Sequence, residues 1–532
     1  MRSDNLGVLF YDDPLPYAAL GASFDLGLIA EYGAAAGEAL FCADVTRDPY
    51  ERAGLSEDGL AAAVMTRAYL SRRVNTVAYT ERDNPCMDYR AAREVWLRPF
   101  GEKFNGIIPP DTVNGAPFGE FAPAAATVKD KTVYRNFYDG GTDYFPQPAA
   151  KDASHLALRL AAASTVLLKN DGLLPVDGAA WLGTAEYKEK KYLALKRDRF
   201  SPRAMFRVAR KVSGARAAVI ALDTAGGLTR AQTELVRYTA KHAPTAVVLL
   251  GAEAVELPFA DEVRAIIYAP APDAVRCMED IVSGRLQPAG RLPFTWADRG
   301  AYPARNPKGN RPNLFYESVY NGYRYFGAAG VRPLFGFGTG ENYIATEYSS
   351  LRLTVTDEDL LVSFTVANLT GAAGTETVFV YTDGDDERAY GLGRRLAGFI
   401  KITLGQNETR SAGIKIAIKD LMIPDAAGDF LPNGKYGVTV ENGSGPKLYG
   451  TVKLGRKCKP AFTADVIPSY YRGAGGLHIL GADVQKLTGV PLYGDSFSPD
   501  WDAVRRKYGV CADNAAFSRK AAGISREQYS RL

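Results

Sequence analysis

Apolar and polar residues alternate with different rhythms along this chain, and each rhythm predicts a different architecture. Up to about residue 150 the spacing is mostly helical. Segments 26–40, 58–72 and 89–104 read as helices, broken by Asp12-Asp13-Pro14, Pro109-Pro110 and Val113-Asn114-Gly115. From about 151 to 300 an Ala/Leu-rich helix starting near Ser154 gives way to short continuous apolar runs, 217–222, 246–250 and 265–268. Such runs suit strands buried on both faces. With helices at 229–242 and 274–283 they make βαβ units around a parallel sheet. Residues 301–345 are rich in loop residues, including 306–312 with two prolines. From 346 to 455 strict alternation takes over, at 351–355, 361–367, 377–381, 410–418 and 436–440. Turn residues separate these segments at roughly ten-residue intervals, which argues a β-sandwich. Residues 456–532 are mixed and end in a charged, helical-looking tail.

A chain of 532 residues is too long for one core, so several domains are expected. Sixty-four basic against 60 acidic residues imply no polyelectrolyte partner, so nucleic-acid binding is not expected. No run of about 18 apolar residues occurs, so neither a membrane span nor a membrane partner is expected. Five scattered cysteines without a CxxC pair suit reduced thiols. The acidic N-terminus shows no signal-peptide pattern, and together these features predict a cytoplasmic protein. Three histidines without metal-ligand spacing, and the absence of GxGxxG around Gly226-Gly227, call for neither a metal nor another cofactor.

Specific motifs sharpen this outline. Ala163-Ser-Thr-Val-Leu-Leu-Lys-Asn-Asp-Gly-Leu-Leu-Pro-Val176 ends a helix, passes through an apolar segment at 165–168, and turns at Lys169-Asn-Asp-Gly172. It resembles the entry to the second domain of glycoside hydrolase family 3, the β-glucosidase family. Arg285-Leu-Gln-Pro-Ala-Gly-Arg-Leu-Pro-Phe-Thr295, Tyr316-Glu-Ser-Val-Tyr-Asn-Gly-Tyr-Arg-Tyr-Phe326 and Pro333-Leu-Phe-Gly-Phe-Gly-Thr-Gly340 resemble later motifs of the same family, in family order. So do Arg395-Leu-Ala-Gly-Phe399, in a fibronectin type III-like stretch, and Ile467-Pro-Ser-Tyr-Tyr471 and Leu487-Thr-Gly-Val-Pro-Leu492 in the tail. Ser3-Asp4, Arg47-Asp-Pro49, Leu55-Ser-Glu-Asp58, 87–100 and Val113-Asn-Gly-Ala-Pro117 echo the family's barrel domain.

The resemblance implies a multidomain α/β plus β fold. It comprises a truncated (β/α)-barrel-like domain (1–150), an α/β sandwich domain (151–300), connecting loops (301–345), a fibronectin type III-like domain (346–455) and a C-terminal extension (456–532). About 150 residues cannot complete a barrel, since eight βα units need roughly 200 or more.

A retaining glycosidase requires a carboxylate nucleophile and a carboxylic acid across the scissile bond. Alignment with the family's nucleophile strand puts Asn136 at the nucleophile position, with Asp139 as the nearby carboxylate that could replace it. The family's Lys-His pair is missing near 77–80, and its acid/base loop is shortened to 223–232, leaving Asp223 but no Glu. Asp4 and Arg47 match substrate-binding positions. Glu317 and Arg324 read as structural residues at a domain junction, and His155 as a packed or surface histidine. The expectation is a β-glucosidase-like protein that binds carbohydrate or serves as a non-catalytic subunit. Its partners would be a second copy of itself or a paralogous glycosidase. An active glycosidase with relocated carboxylates, or with a site completed by a partner chain, is the alternative, and a purely structural scaffold a third reading.

Overall fold

The computed structural model describes residues 17–35, 39–42, 45–51, 53–71, 76–79, 85–86, 95–96, 98, 106–108, 112–113, 116–117, 153–184, 192–271, 274–302, 313–314, 320–384, 394–421 and 434–455. The first unit contains helices α1 (Tyr17–Ser23), α2 (Leu26–Ala35) and α3 (Gly59–Leu70). Its strands are β1 (Ala39–Cys42), β2 (Thr76–Tyr79), β3 (Pro85–Cys86), β4 (Gly106–Ile108), β5 (Thr112–Val113) and β6 (Ala116–Pro117). Strands β1, β2 and β4 pair in parallel in that order, and α3 lies between β1 and β2 in sequence, as in a βαβ unit. Asp58 starts α3: its Oδ1 accepts from the Leu60 and Ala61 amides at 2.9 and 3.0 Å. Helices α2 and α3 pack so closely that a Cβ on Gly33 would lie 2.0 Å from the Tyr69 carbonyl oxygen. The single helix expected over 26–40 is corrected here: α2 ends at Ala35, and the apolar residues after it pair as β1. Their alternatives, helix or buried strand, share one short apolar pattern, and pairing with β2 decides between them.

The second unit opens with α4 (Ala153–Ser164) and β7 (Val166–Asn170). It continues through β8 (Ala180–Gly183), β9 (Leu193–Ala194), α5 (Pro202–Val212), β10 (Ala218–Asp223), α6 (Arg230–Ala240), β11 (Thr245–Leu250), β12 (Ala265–Ala269) and α7 (Ala274–Val282). The sheet order is β7-β12-β11-β10-β8-β9, parallel except for β7. Helix α5 is capped by Ser201 with Pro202 in its first turn, and α6 by a reciprocal Thr229–Gln232 capping box. At the entry motif, Asn170 closes the turn: its Oδ1 accepts from the Leu173 and Leu174 amides, and its Nδ2 donates to the Leu174 carbonyl.

Residues 301–345 hold more than loops. β13 (Asn313–Leu314) pairs with β3, and α8 (Tyr323–Ala329) follows a buried stretch from Tyr320. The third unit has seven strands: β14 (Thr346–Val355), β15 (Asp359–Asn368), β16 (Gly374–Gly384), β17 (Arg395–Leu404), β18 (Thr409–Ala417), β19 (Gly434–Glu441) and β20 (Pro446–Leu454). They form sheets β14-β15-β18 and β17-β16-β19-β20, antiparallel throughout, enclosing a core of Leu360, Val362, Phe364, Val378, Val380 and Val438, among others.

One face of the α/β sheet makes its own core with α5 and α6. The other face shares a core with the first unit and the outer side of β16 and β17. Phe24 sits where the three units meet, edge-on to Phe337, Phe379 and Phe399 at centroid distances of 6.0, 5.1 and 5.2 Å. Among the described residues no helix is long and apolar enough to cross a membrane.

Candidate functional site

Three of the family-like motifs converge on one buried carboxylate, Glu57, in the loop before α3. Its Oε2 accepts from the Thr295 amide at 2.6 Å. Its Oε1 accepts from the Thr295 hydroxyl at 2.8 Å and the Tyr323 amide at 2.7 Å. Gly322, with φ of 56°, permits this approach, because a Cβ there would lie 2.0 Å from the Glu57 carboxyl carbon. Burial pushes Glu57 up to about 7, against the lowering effect of the Thr295 and Tyr323 donors. Next to it, Asp58 Oδ2 accepts from the Tyr323 hydroxyl at 2.9 Å and lies 3.7 Å from Arg324. Asn321 Nδ2 donates to the Thr46 and Glu57 carbonyls at 3.0 and 2.7 Å. This node ties 45–58, 293–295 and 320–324 into one body. Both Glu57 oxygens are already occupied, so its chemistry is cohesive.

Two further buried charges hold the third unit. Glu376 of β16 accepts from Arg291 at 3.3 Å, Tyr348 at 2.8 Å and Asn442 at 2.6 Å, and also from Asn342. Arg291 belongs to the Arg285–Thr295 motif, so this ion pair crosses from the second unit to the third. Lys401 of β17 donates to the Ser23 carbonyl at the end of α1 and to the Ala163 carbonyl, 3.5 Å away, at the end of α4. Cations are favoured at such helix C-termini. Even so, burial pulls Lys401 down to about 7, with Asp25 opposing and Arg291 reinforcing the shift.

The accessible chemistry lies at the carboxyl end of the sheet. From β8 the chain runs outward to β9, then returns through α5 to β10 on the other side. The crevice between the ends of β8 and β10 is therefore the topological switch point, where open α/β sheets receive ligands. Its floor is filled: Gln232 Nε2 donates to Thr184 Oγ1 and the Asp223 carbonyl, both at 2.8 Å. At the rim Asp223 is half-exposed. Its Oδ1 accepts from the Ala225 amide at 3.0 Å, and its Oδ2 stands 3.8 Å from Arg197. Arg197 also donates to the Gly227 carbonyl at 2.8 Å and to the Ala225 carbonyl. Gly226 and Gly227, with φ of 71° and 93°, complete a turn closed by Gly227 N on Thr224 O at 2.9 Å. The 223–232 segment is thus a tight turn leading directly into the α6 capping box.

Of the expected site residues, Arg47 is half-buried on the segment pinned to the Glu57 node: the Thr46 amide donates to Ser56 O at 2.8 Å, and Tyr50 Oη to Ala297 O at 2.9 Å. Asp4, Asn136, Asp139 and Glu317 lie outside the described residues. Arg324 is buried beside Asp58, and His155 is exposed on α4. Sequence reasoning passed over Glu57, Glu376 and Lys401 as individual residues. The first lay inside a quoted motif; the other two alternate within strands like any polar residue, and only the three-unit packing reveals their burial. Among the described residues, no group of three or more His, Cys, Asp or Glu could hold a metal ion.

Residues 210–343 match the family profile described as "Glycosyl hydrolase family 3 C-terminal domain". A β-glucosidase of Rhizobium radiobacter is 30% identical over 224 residues, 39% of this chain and 27% of that protein. Thermostable β-glucosidase B of Acetivibrio thermocellus is 30% identical over 174 residues, 31% of this chain and 23% of that protein. The aligned region spans about a quarter of the length of these relatives. Fold similarity reaches further. β-Glucosidase 3B from Thermotoga neapolitana, solved with glycerol, superposes with a TM-score of 0.69 at 19% identity, covering 83% of this chain and 88% of that one. A Streptomyces venezuelae β-glucosidase solved with D-glucose gives 0.68 at 15% identity, covering 83% and 92%. The fold is thus that of a multidomain α/β glycosidase. Residues 210–343 are similar to the C-terminal domain of glycoside hydrolase family 3, and the chain is similar in fold to β-glucosidases.

Proposed function

We propose that this chain is a carbohydrate-binding member of its family that does not hydrolyse glycosides, acting alone or as the non-catalytic subunit of a paralogous glycosidase. The observation that carries this reading is the turn after β10. Where the family presents a carboxylic acid on a long loop, this chain has a closed Gly-Gly turn whose one carboxylate, Asp223, is engaged by the Ala225 amide and Arg197. Asn136 at the nucleophile position supports the same conclusion. An amide offers no anionic nucleophile and no charge to stabilise an oxocarbenium ion, and losing such groups costs orders of magnitude in rate.

The seven-stranded sandwich, three strands against four, supports the fibronectin type III-like reading of 346–455. The three parallel strands with α3 support a shortened barrel over 1–150. The buried, reduced Cys277, its thiol directed at the Ala274 carbonyl, is compatible with a cytoplasmic setting. Relatives solved with glucose make that sugar the first ligand to try. Calorimetric titration with glucose, xylose and cello-oligosaccharides should give saturable heat with at least one of them. No heat with any sugar would reduce the protein to a scaffold.

A further inference from the structure

The most exposed large apolar side chain among the described residues is Phe206, 69% accessible, in the middle of α5. Helix α5 packs on the sheet through Val208 and Val212. The opposite face carries Arg203, Phe206, Arg207 and Arg210, at the i, i+3, i+4, i+7 spacing of a single stripe, and all four are exposed. Lys196 and Arg199 precede the helix and Arg216 follows it, exposed as well. Over residues 196–216 there are eight basic residues and one acidic residue, Asp198, whereas the whole chain has a basic excess of only four. The segment is therefore far more basic than the chain average. Arg197, in this group, pairs with Asp223.

We propose that the outer face of α5 is a docking surface for an anionic lipid bilayer. The occupant follows from complementarity. An arginine stripe alone fits any polyanion. A solvent-facing phenyl ring at its centre has no use against a purely ionic partner, but it can enter the acyl boundary while the guanidiniums hold lipid phosphates. The sheet behind Val208 and Val212 presents the helix broadside, which is the orientation an interfacial helix adopts. No membrane-spanning segment is required, so the expectation of no membrane partner, drawn from the absence of such a span, does not bear on this surface.

The test is co-sedimentation of the full chain with phosphatidylcholine vesicles, with and without phosphatidylglycerol, at low and high salt. Binding is expected only with phosphatidylglycerol and should weaken with salt. Each basic residue near an anionic surface is worth about fivefold in affinity, so Arg203→Gln/Arg207→Gln/Arg210→Gln should weaken binding on the order of 100-fold. Phe206→Ser should weaken it about tenfold, the part a purely electrostatic contact would not lose. Lys435→Gln/Lys447→Gln/Lys453→Gln removes the same charge from exposed positions on the sandwich and should leave binding intact. Circular dichroism melts verify that each variant is folded. Absence of binding to phosphatidylglycerol vesicles overturns the proposal. So does an equal loss in the sandwich variant, insensitivity to Phe206→Ser, or binding to polyuridylate or heparin in place of vesicles.

Discussion

Glu57 and Asp223 are both carboxylates at the ends of family-like motifs, and they have had opposite fates. Glu57 is wholly buried, accepts three hydrogen bonds and joins segments about 240 and 265 residues away in sequence. Asp223 is half-exposed, closes a local turn and meets one arginine at 3.8 Å. The contrast separates two kinds of motif retention. Glu57 is held by groups from two distant segments of the chain, whereas Asp223 belongs to the short connection between β10 and α6. Under the proposed non-hydrolytic reading, the carboxylate that packs the units is retained in a buried network while the one at the sheet end serves only a local turn.

The largest effect should come from emptying the Glu57 node. Glu57→Ala leaves two backbone amides and the Thr295 hydroxyl without their acceptor and should cost about 4 kcal/mol, read as a lowered urea midpoint by Trp296 fluorescence. The milder Glu57→Gln adds a pH test. Because the folded-state value is raised to about 7 from 4.5, the glutamate's contribution is fullest below 4.5 and is lost as pH rises through 7. The stability gap between wild type and Glu57→Gln should therefore narrow between those values.

Next comes the buried pair crossing to the sandwich. Arg291→Met strands Glu376 and should cost about 3–4 kcal/mol. Arg291→Met/Glu376→Leu should recover only part of this, since Asn342, Asn442 and Tyr348 lose their acceptor. For Lys401 the sign runs the other way from Glu57. Its folded value falls to about 7 from 10.5, so the unfolded chain binds the extra proton between those limits and wild-type stability rises with pH there. Lys401→Met should remove that rise. A flat wild-type profile relative to Lys401→Met would mean that the amine is not sequestered. The smallest change is expected at Asp223: Asp223→Asn should alter stability by no more than about 0.5 kcal/mol.

The framework was legible in the sequence wherever local patterning and tertiary demand coincide. The runs at 217–222, 246–250 and 265–268 are β10, β11 and β12, because strands buried on both faces must be continuously apolar. The alternating segments from 351 to 440 match β14, β15, β16, β18 and β19, the fourth running one residue past the end of β18. Strand β1 was hidden inside an apparent helix because four apolar residues fit either state. Strands β8 and β9 and the helix α8 were missed because they are short, and Gly322 and nearby prolines obscured the buried stretch around α8. Site geometry was less legible. That 223–232 holds no Glu could be read directly, but that Gln232 fills the switch-point floor, and that Glu57 serves cohesion, depends on contacts between residues far apart in sequence.

The most direct measurement is release of aryl aglycone from β-glucosides by the purified full chain, with Asp139→Ala and Asp223→Asn assayed beside it. Release indistinguishable from buffer, and unchanged in both variants, is expected. Clear turnover that disappears with Asp139→Ala or Asp223→Asn would contradict the non-hydrolytic reading and make the chain an active glycosidase with relocated carboxylates.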